Sequence, residues 1–302
     1  MHPSCLEYRL SAEERAHFER EGYLIVPGAL DRDQLRRLVS VVDRRYREQL
    51  DQGLAPHSPF VLRNFLPVSD EFVELIDHPR IFPKVWAILG HNIYLYHAHL
   101  GVTPPLAGHP PPEEEQLRFH QDSGRVNFDV ESEPRPRLSL KVAYFLEGDA
   151  APGNANMYLI PRSHLSNRSP LLFSEGAATG TAADSTPAEL SRFPGSTAGE
   201  APGARAIGVA PGTALLFDRR IWHSKSPNFG ESTRKALFYG YAYRWLRTKD
   251  EMTVQHLYPQ LDAIRRQILG DGLSADGYYS PTPGDVPLRA WIEQHDPASL
   301  RP

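Results

Sequence analysis

The sequence predicts a mainly β protein with flanking helices, an α+β fold whose strands form an antiparallel barrel or sandwich. The centre of the chain, residues 93–245, contains a succession of β-branched and aromatic runs with no helical pattern between them. Helical patterns are found before and after this region. The 22 glycines and 28 prolines make up about one residue in six of the 302, which favours short elements joined by turns and excludes a helical bundle.

The N-terminal region predicts helices. Ser11 precedes a pattern of glutamates and apolar residues that is typical of a capped helix, and Gly22 ends it. A short β-rich run, Tyr23–Val26, follows. A second helix with one apolar face begins at Asp31. We therefore expect residues 1–92 to form a helical cover over the core.

Six runs of strand-forming residues predict the core, which we expect to span residues 93–245. They lie at 93–102, 138–146, 157–160, 206–209, 213–217 and 234–245. In the last run, alternate residues are small on one face and bulky on the other, so the two faces meet different surroundings.

Two segments inside the core predict loops. Residues 104–115 contain five prolines and three consecutive glutamates, which excludes a central strand. Between residues 174 and 206, 25 of 33 residues are Ala, Gly, Ser, Thr or Pro, so burial cannot offset the entropy lost on ordering. We expect a flexible insertion at 174–206, either a passive loop or a lid over bound substrate.

The C-terminal region, residues 246–302, predicts a helical tail with a helix at 254–269. The sequence contains no internal repeat. It also contains no linker that leads to an independent second unit. We therefore expect a single domain over residues 1–302.

The composition excludes several classes of protein. The 33 basic and 37 acidic residues give a net charge of −4, without the strongly basic character that nucleic-acid binding requires. The single cysteine, Cys5, excludes a disulfide framework and a cysteine-based metal site, whereas 13 histidines supply nitrogen ligands. The first residues lack the apolar segment of a signal peptide, and no stretch approaches the ~18 apolar residues of a membrane span. We expect a cytoplasmic protein that binds neither nucleic acid nor membrane.

A His-x-Asp motif is the first candidate for chemistry. His120 and Asp122 lie two residues apart, and on an extended strand such residues project to the same face. An imidazole and a carboxylate there can reach one ion together. The motif is a weak signal when it is taken alone.

A second motif supplies a histidine and an arginine. Residues 211–222 predict a turn and an apolar strand, and His223 follows them. Eleven residues later, Arg234 begins the last strand, on its face of small residues. A guanidinium on such a face can bind a buried carboxylate in bidentate fashion. The alternative is a strand-edge arginine in solvent.

Together the two motifs predict a metal site. Two histidines and one carboxylate can bind one face of a metal ion and leave three of its coordination positions open. This arrangement is the facial triad of non-haem Fe(II) oxygenases. Zinc also accepts these ligands, but a hydrolytic zinc site needs a nearby general base and has no use for a buried arginine. His97 and His99 also lie two apart on a strand and form a rival pair, which lacks an evident third ligand.

Residues 11–245 resemble the phytanoyl-CoA dioxygenase family of Fe(II)- and 2-oxoglutarate-dependent oxygenases. The resemblance rests on His120-Gln-Asp122, on Asn-Met-Tyr-Leu-Ile-Pro-Arg-Ser-His at 156–164, and on His223 with Arg234. It implies a double-stranded β-helix core of the jelly-roll or cupin-like kind. It also implies Fe(II), 2-oxoglutarate and O2.

The resemblance implies a role for each matching residue. His120, Asp122 and His223 bind iron, and Arg234 pairs with the distal carboxylate of 2-oxoglutarate. The family pattern further suggests cosubstrate contacts from three residues: Tyr144, His99 and Arg63. Lys141 lies on the strand face opposite Tyr144, so only one of the two lines the pocket, and we expect it to be Tyr144.

The sequence departs from the family pattern at two positions. Ala155 and Arg162 replace glycines that family members usually carry. Arg162 requires the turn either to avoid positive φ or to tolerate about 1 kcal/mol of strain. Neither position is expected to bind iron. His164 belongs to this turn and is expected to form structural hydrogen bonds.

The resemblance implies an oxygenase that hydroxylates an unactivated C–H of a small molecule and releases succinate and CO2, with desaturation, epoxidation and ring formation as open alternatives. Asp122 fills a ligand position that halogenating relatives leave to chloride, so hydroxylation is favoured over halogenation. Residues 150–250 contain 12 Lys/Arg and 7 Asp/Glu, which suits a carboxylate-bearing metabolite, an amino acid, a natural-product intermediate or an acyl-CoA. The candidates for substrate contact are Arg125, Arg162 and Lys225. The alternative function is a cupin-like metal-binding or sensing protein without turnover, which would not need Arg234.

Overall fold

The computed structural model describes residues 1–106, 117, 119–148, 150–170, 203–251, 253–272 and 275–300. Most of the expected proline-rich loop at 104–115 and of the expected insertion at 174–206 therefore lies outside the described residues. Among the described residues, no helix has both the length and the apolar character that crossing a membrane demands.

The chain alternates between helices and strands before the core and is mainly strand within it. The strands are β1 (Tyr23–Val26), β2 (Phe60–Arg63), β3 (Ile93–Thr103), β4 (Ser139–Glu147), β5 (Met157–Ile160), β6 (Arg205–Ile207), β7 (Ala214–Asp218), β8 (Trp222–Lys225) and β9 (Arg234–Tyr243). The α-helices are α1 (Ala12–Glu21), α2 (Arg32–Asp51), α3 (Asp70–Val73), α4 (Phe82–Leu89), α5 (Gly124–Asp129), α6 (Ala263–Ile268), α7 (Ala275–Tyr279) and α8 (Pro287–His295). Short 3₁₀ turns connect several of them.

Two antiparallel sheets form the core. The larger sheet has the order β1-β7-β4-β9-β3-β2, and the smaller one has the order β6-β5-β8. His223 on β8 also forms an isolated antiparallel bridge with His120, which therefore lies beside the outer edge of the smaller sheet. Apolar side chains from both sheets meet in one buried cluster, which includes Phe145, Phe217 and Leu159. The sheets therefore enclose a common interior.

Each central strand of the large sheet has two buried faces. On β9, Ala236 and Phe238 point into the interior between the sheets, whereas Leu237, Tyr239 and Tyr241 pack against the helices on the outer face. The hydroxyls of Tyr239 and Tyr241 donate to backbone carbonyls of the 72–76 segment, both at 2.8 Å. The alternation predicted for this strand is thus present, and the face of small residues is the interior one.

A β-bulge in β3 determines which of its residues face the interior. The register with β9 shifts between Leu95 and His97, so that one extra residue, Tyr96, is accommodated. Gly240 lies opposite the bulge, where a Cβ would approach the Tyr96 ring at 2.8 Å. After the bulge, His97 and His99 point into the interior. Glycine at 240 therefore allows the strands to approach closely.

The N-terminal region forms both helices and strands. Helix α1 has the predicted capping box at Ser11 and ends at Gly22 in the left-handed conformation, φ +84°. Strand β1 pairs with β7, and β2 pairs with β3. Residues 1–92, expected to be a helical cover with a β-rich run at Tyr23–Val26, thus also supply β1 and β2 as the edge strands of the large sheet.

The C-terminal tail is helical, but its first helix is interrupted. A 3₁₀ helix spans Gln255–Gln260, and Asp262 then caps α6 by accepting from the Arg265 amide. Within the expected helical tail at 254–269, the helix is interrupted because Pro259 lacks an amide hydrogen and Asp262 favours a new N-terminus. Buried residues of α6 and α8 join the outer core.

Candidate metal centre and cosubstrate cavity

Three potential metal ligands converge at the end of the small sheet. His120 and His223 form two backbone hydrogen bonds with each other, each 2.9 Å long, and their ring centroids lie 4.3 Å apart. The Asp122 amide donates to the carbonyl of Arg219 at 3.0 Å. One ligand atom from each of His120, Asp122 and His223 lies within 4.8 Å of the others. This is the only such group of three found among the described residues.

The Asp122 carboxylate is half satisfied. Lys141 on β4 donates to its Oδ1 at 2.7 Å, whereas Oδ2 is buried and has no hydrogen-bond partner in the described part of the chain. Burial raises the pKa of Asp122, but Lys141 and the two histidines outweigh this effect and hold that pKa below its ordinary value. An ionised carboxylate with one free oxygen fits a metal ion as its missing partner.

His223 is oriented for metal binding by its own backbone. Its Nδ1 lies 3.0 Å from the carbonyl of Ile221 and donates to it, which leaves Nε2 as the ligand atom. Burial and the neighbouring His120 lower the pKa of His223 to about 3. The ring is therefore neutral at physiological pH, the form in which histidine binds metals.

The three residues lie on one side of a cavity of about 320 Å³ between the sheets. Arg234, at the start of β9, lines the same cavity and is almost fully buried. Its guanidinium lies over the rings of Phe145 and Phe238, at 5.1 and 5.8 Å from their centroids. Its Nη2 is buried without a hydrogen-bond partner, and no ion pair to it occurs among the described residues. Burial lowers its pKa to about 10, so the group remains a cation, without a counter-ion in the part of the chain that the structure describes.

Lys225 approaches the same end of the cavity. Its ammonium donates to the hydroxyl of Thr103 at 3.0 Å. Burial and the charge of Arg234 lower its pKa to about 8. Of the three residues suggested for substrate contact, Lys225 is therefore in the cavity.

The other two substrate candidates are not placed there. Arg162 lies outside the cavity and pairs with Glu21 of α1 at 3.1 Å, with its side chain 64% exposed. The expectation that Arg162 contacts substrate is therefore wrong, because its turn points it toward the N-terminal helix. Arg125 lies in α5, but its side chain is outside the described residues.

The two positions that replace family glycines both have positive φ. The values are +55° at Ala155 and +68° at Arg162, so the backbone keeps the conformation that glycine adopts without strain. His164 lies in the same turn as Arg162. It is buried, and its Nε2 is 3.1 Å from the Glu19 carbonyl. Its predicted structural hydrogen bond is present.

Tyr144 faces away from the cavity. It belongs to the outer core, is fully buried, and its hydroxyl donates to the Leu75 carbonyl at 3.5 Å. Lys141, three residues earlier on β4, lines the cavity instead. The expectation that Tyr144 contacts the cosubstrate is therefore wrong, because successive strand positions alternate and Lys141 has the inward phase.

The remaining predicted contacts, His99 and Arg63, do line the cavity. They are directly paired across β3 and β2. Three further residues also line the cavity. Lys141 was the alternative to Tyr144, His97 was expected only in the rival histidine pair, and Lys249 was not anticipated. A lysine that is buried in a central strand needs a carboxylate partner nearby. This requirement could have indicated that Lys141 faces Asp122 in the cavity.

The fold and the centre define the class of the protein. A jelly-roll core whose cavity presents two histidines, one aspartate and a buried arginine is the arrangement of a non-haem iron oxygenase that uses 2-oxoglutarate. The family model of phytanoyl-CoA dioxygenase (PhyH) matches residues 18–236, and the chain belongs to this family. It is an Fe(II)- and 2-oxoglutarate-dependent dioxygenase that uses O2.

Solved structures share this fold at low sequence identity. HygX from Streptomyces hygroscopicus, with nickel and 2-oxoglutarate bound, has a TM-score of 0.58 and 16% identity, covering 79% of this chain and 89% of its own. The α-ketoglutarate-dependent carbocyclase SnoK from nogalamycin biosynthesis has a TM-score of 0.55 and 18% identity, covering 84% and 91%. EctD from S. alaskensis, with 2-oxoglutarate and 5-hydroxyectoine, has a TM-score of 0.56 and 19% identity, covering 80% and 79%. The expected double-stranded β-helix fold is confirmed. A sequence comparison with curated proteins gives no match.

Proposed function

We propose that His120, Asp122 and His223 hold Fe(II), and that Arg234 binds the far carboxylate of 2-oxoglutarate while a small molecule is hydroxylated. One observation carries the proposal. The cavity contains a buried carboxylate oxygen on Asp122 and a buried guanidinium nitrogen on Arg234, neither of which has a partner among the described residues. Each group is costly to bury alone, and a metal ion and an anionic cosubstrate would satisfy them together.

Fe(II), when bound, supplies the activation of O2 that couples decarboxylation of 2-oxoglutarate to hydroxylation of the substrate. The protein contributes position and charge. Lys141 holds Asp122 ionised and fixes its orientation, and the Ile221 carbonyl keeps Nε2 of His223 available. Arg234 orients the dicarboxylate from its far end, and Phe145 and Phe238 shield that contact from water.

The charge of the cavity supports an anionic substrate. Among the described lining residues, five are lysine or arginine and one is a carboxylate. Lys141 pairs with Asp122, and we assign Arg234 to the cosubstrate. Arg63, Lys225 and Lys249 remain for another anion. Burial, followed by the charge of Lys141, lowers the pKa of Lys249, and a bound carboxylate would offset that repulsion.

An anaerobic titration tests the proposal. Fe(II) and 2-oxoglutarate are added to the wild type, to Arg234→Met and to Lys235→Met while the weak visible charge-transfer absorption is followed. Lys235 is a matched control, because it is the adjacent cation on β9 but pairs with Asp43 and Glu147. We expect Arg234→Met to bind iron normally and 2-oxoglutarate at least about 100-fold more weakly. Lys235→Met should behave as the wild type.

The alternative of a metal-binding protein without turnover makes a different prediction. It would bind Fe(II) but show no absorption change with 2-oxoglutarate and no succinate in air. A screen of succinate release against small carboxylates and their neutral amides separates substrate classes. Equal stimulation by acids and amides would contradict the anionic substrate.

A further inference from the structure

A second group of ionisable side chains forms a chain toward the cavity. The carboxylate of Asp250 lies 2.8 Å from Nδ1 of His97, and Nε2 of His97 lies 3.0 Å from Nδ1 of His99. Asp250 and His97 are buried, and His99 lines the cavity. Because Nδ1 of His99 is occupied, Nε2 is its remaining nitrogen for a cavity ligand.

The hydrogen bonds determine where the protons lie. An ionised Asp250 only accepts, so Nδ1 of a neutral His97 carries the proton and its Nε2 is an acceptor. His99 must then donate from Nδ1, and its Nε2 has no proton. This chain of hydrogen bonds through Asp250, His97 and His99, called the relay below, therefore gives the cavity an acceptor at His99. The cationic side chains that line the cavity, in contrast, offer only hydrogen-bond donors. They are Arg63, Lys141, Lys225, Arg234 and Lys249.

The surroundings keep the relay in this form. Burial lowers the pKa of His97 and outweighs the opposing effect of Asp250, and burial with Lys141 lowers the pKa of His99 to about 2. Burial alone would raise the pKa of Asp250, but its hydrogen bonds with His97 and the Ala98 amide keep that pKa below its ordinary value. The three groups thus combine one carboxylate with two neutral rings.

The backbone holds the relay rigidly. The Ala98 amide donates to Oδ2 of Asp250 at 2.7 Å, and the Lys249 amide donates to the Tyr96 carbonyl at 2.9 Å, directly at the bulge. The His99 ring stacks on Phe238 with its plane tilted by only 6° and the centroids 4.5 Å apart. Ring position and proton position are therefore both set before any ligand binds.

We propose that Asp250 is a positioning residue that acts through His97 to keep an unprotonated Nε2 on His99, so that His99 accepts a hydrogen bond from the primary substrate. The matching substrate group is a hydroxyl, amine or amide N–H. A carboxylate of 2-oxoglutarate does not fit, because it would bring two acceptors together. This inference rests on the proposed function of the cavity, and it moves His99 from the cosubstrate to the substrate.

The proton positions can be measured directly. Protein labelled with ¹⁵N-histidine and loaded with Zn(II) and 2-oxoglutarate is examined by ¹⁵N NMR, and signals are assigned by their loss in His97→Gln and His99→Phe. We expect Nε2 of His99 to show the shift of an unprotonated imidazole nitrogen. A protonated Nε2, or a doubly protonated His97, would overturn the proposal. This measurement requires no variant of Asp250.

A variant of Asp250 tests its part. In Asp250→Asn, the side-chain oxygen can still accept the hydrogen bond from the Ala98 amide, and the NH2 group then faces Nδ1 of His97. The relay should reverse, and Nε2 of His99 should become protonated, as carboxylate-to-amide changes do beside a paired histidine. Asp77→Asn is the matched control, because Asp77 is also buried but pairs with Arg265 outside the cavity. An unchanged His99 spectrum in Asp250→Asn would contradict the positioning role.

The cosubstrate titration separates this inference from the proposed function. His99→Phe keeps the stacked ring but removes both nitrogens. We expect its Kd for 2-oxoglutarate to stay within about threefold of the wild type, whereas Arg234→Met loses at least about 100-fold. Equal weakening by both variants would place His99 on the cosubstrate and overturn the inference alone. No weakening by Arg234→Met would overturn the proposed function.

Discussion

Two groups of the same composition lie at one cavity and differ in how their side chains are arranged. His120, Asp122 and His223 direct ligand atoms toward a common point, and Oδ2 of Asp122 has no partner in the described structure. His97, His99 and Asp250 are instead linked in series by hydrogen bonds. Composition alone therefore does not distinguish a metal centre from a hydrogen-bond relay. The distinction lies in whether the side chains direct ligand atoms toward one point or are linked to one another in series by hydrogen bonds.

The largest effect is expected from removal of a converging ligand. His223→Ala should abolish stable iron binding and reduce succinate formation by at least about 1,000-fold, because the metal contributes several kcal/mol to the reaction. His97→Gln, in the other group, should retain the metal. Iron content after desalting and succinate release measure both. Loss of iron from the two variants alike would erase the distinction between the groups.

A smaller effect is expected from the lysine that holds the aspartate. Lys141→Met removes the 2.7 Å bond to Asp122 and should weaken metal binding by about 10- to 100-fold, as changes to residues behind metal ligands do. Tyr144→Phe is the matched control on the opposite face of β4. It removes only the long bond to the Leu75 carbonyl and should leave metal affinity unchanged. Competition with a chelator gives both affinities, and a strong effect of Tyr144→Phe would contradict the assigned faces.

The smallest effect is expected from a change at Gly240, opposite the β-bulge that positions His97. Gly240→Ala places a Cβ against the Tyr96 ring at the bulge and should lower the free energy of unfolding by about 1–3 kcal/mol. Gly101→Ala is the control on β3, because its Cβ would meet no atom within 4 Å. Denaturant unfolding measures both variants. Metal affinity should survive in Gly240→Ala, since the bulge contacts the relay rather than the iron ligands.

The sequence predicted the converging group better than the relay, for a physical reason. His120 and Asp122 are two residues apart on one extended segment, so local geometry alone puts them on one side. Asp250 lies 153 residues from His97, and their pairing depends on a bulge that shifts the phase of β3. No local pattern in the sequence identifies that shift.

The error at Tyr144 has a related cause. Both faces of β4 are buried, so its apolar pattern does not show which face borders the cavity. The tyrosine suited an aromatic pocket, but the buried charge of Lys141 was the better indicator, because a buried ammonium needs a carboxylate nearby. The break in the tail helix was visible in the sequence, since Pro259 and Asp262 both disfavour its continuation.

The carboxylate of the relay comes from a part of the chain that the family model does not match. The match ends at residue 236, within β9, and Asp250 lies beyond it. A chain that kept the matched region and acquired a different C-terminal segment would retain the three proposed iron ligands and Arg234. It would nevertheless lose Asp250 and, with it, the proposed control of the proton position on His99. The residues proposed to hold iron and cosubstrate and the carboxylate proposed to position His99 thus come from separate parts of this polypeptide.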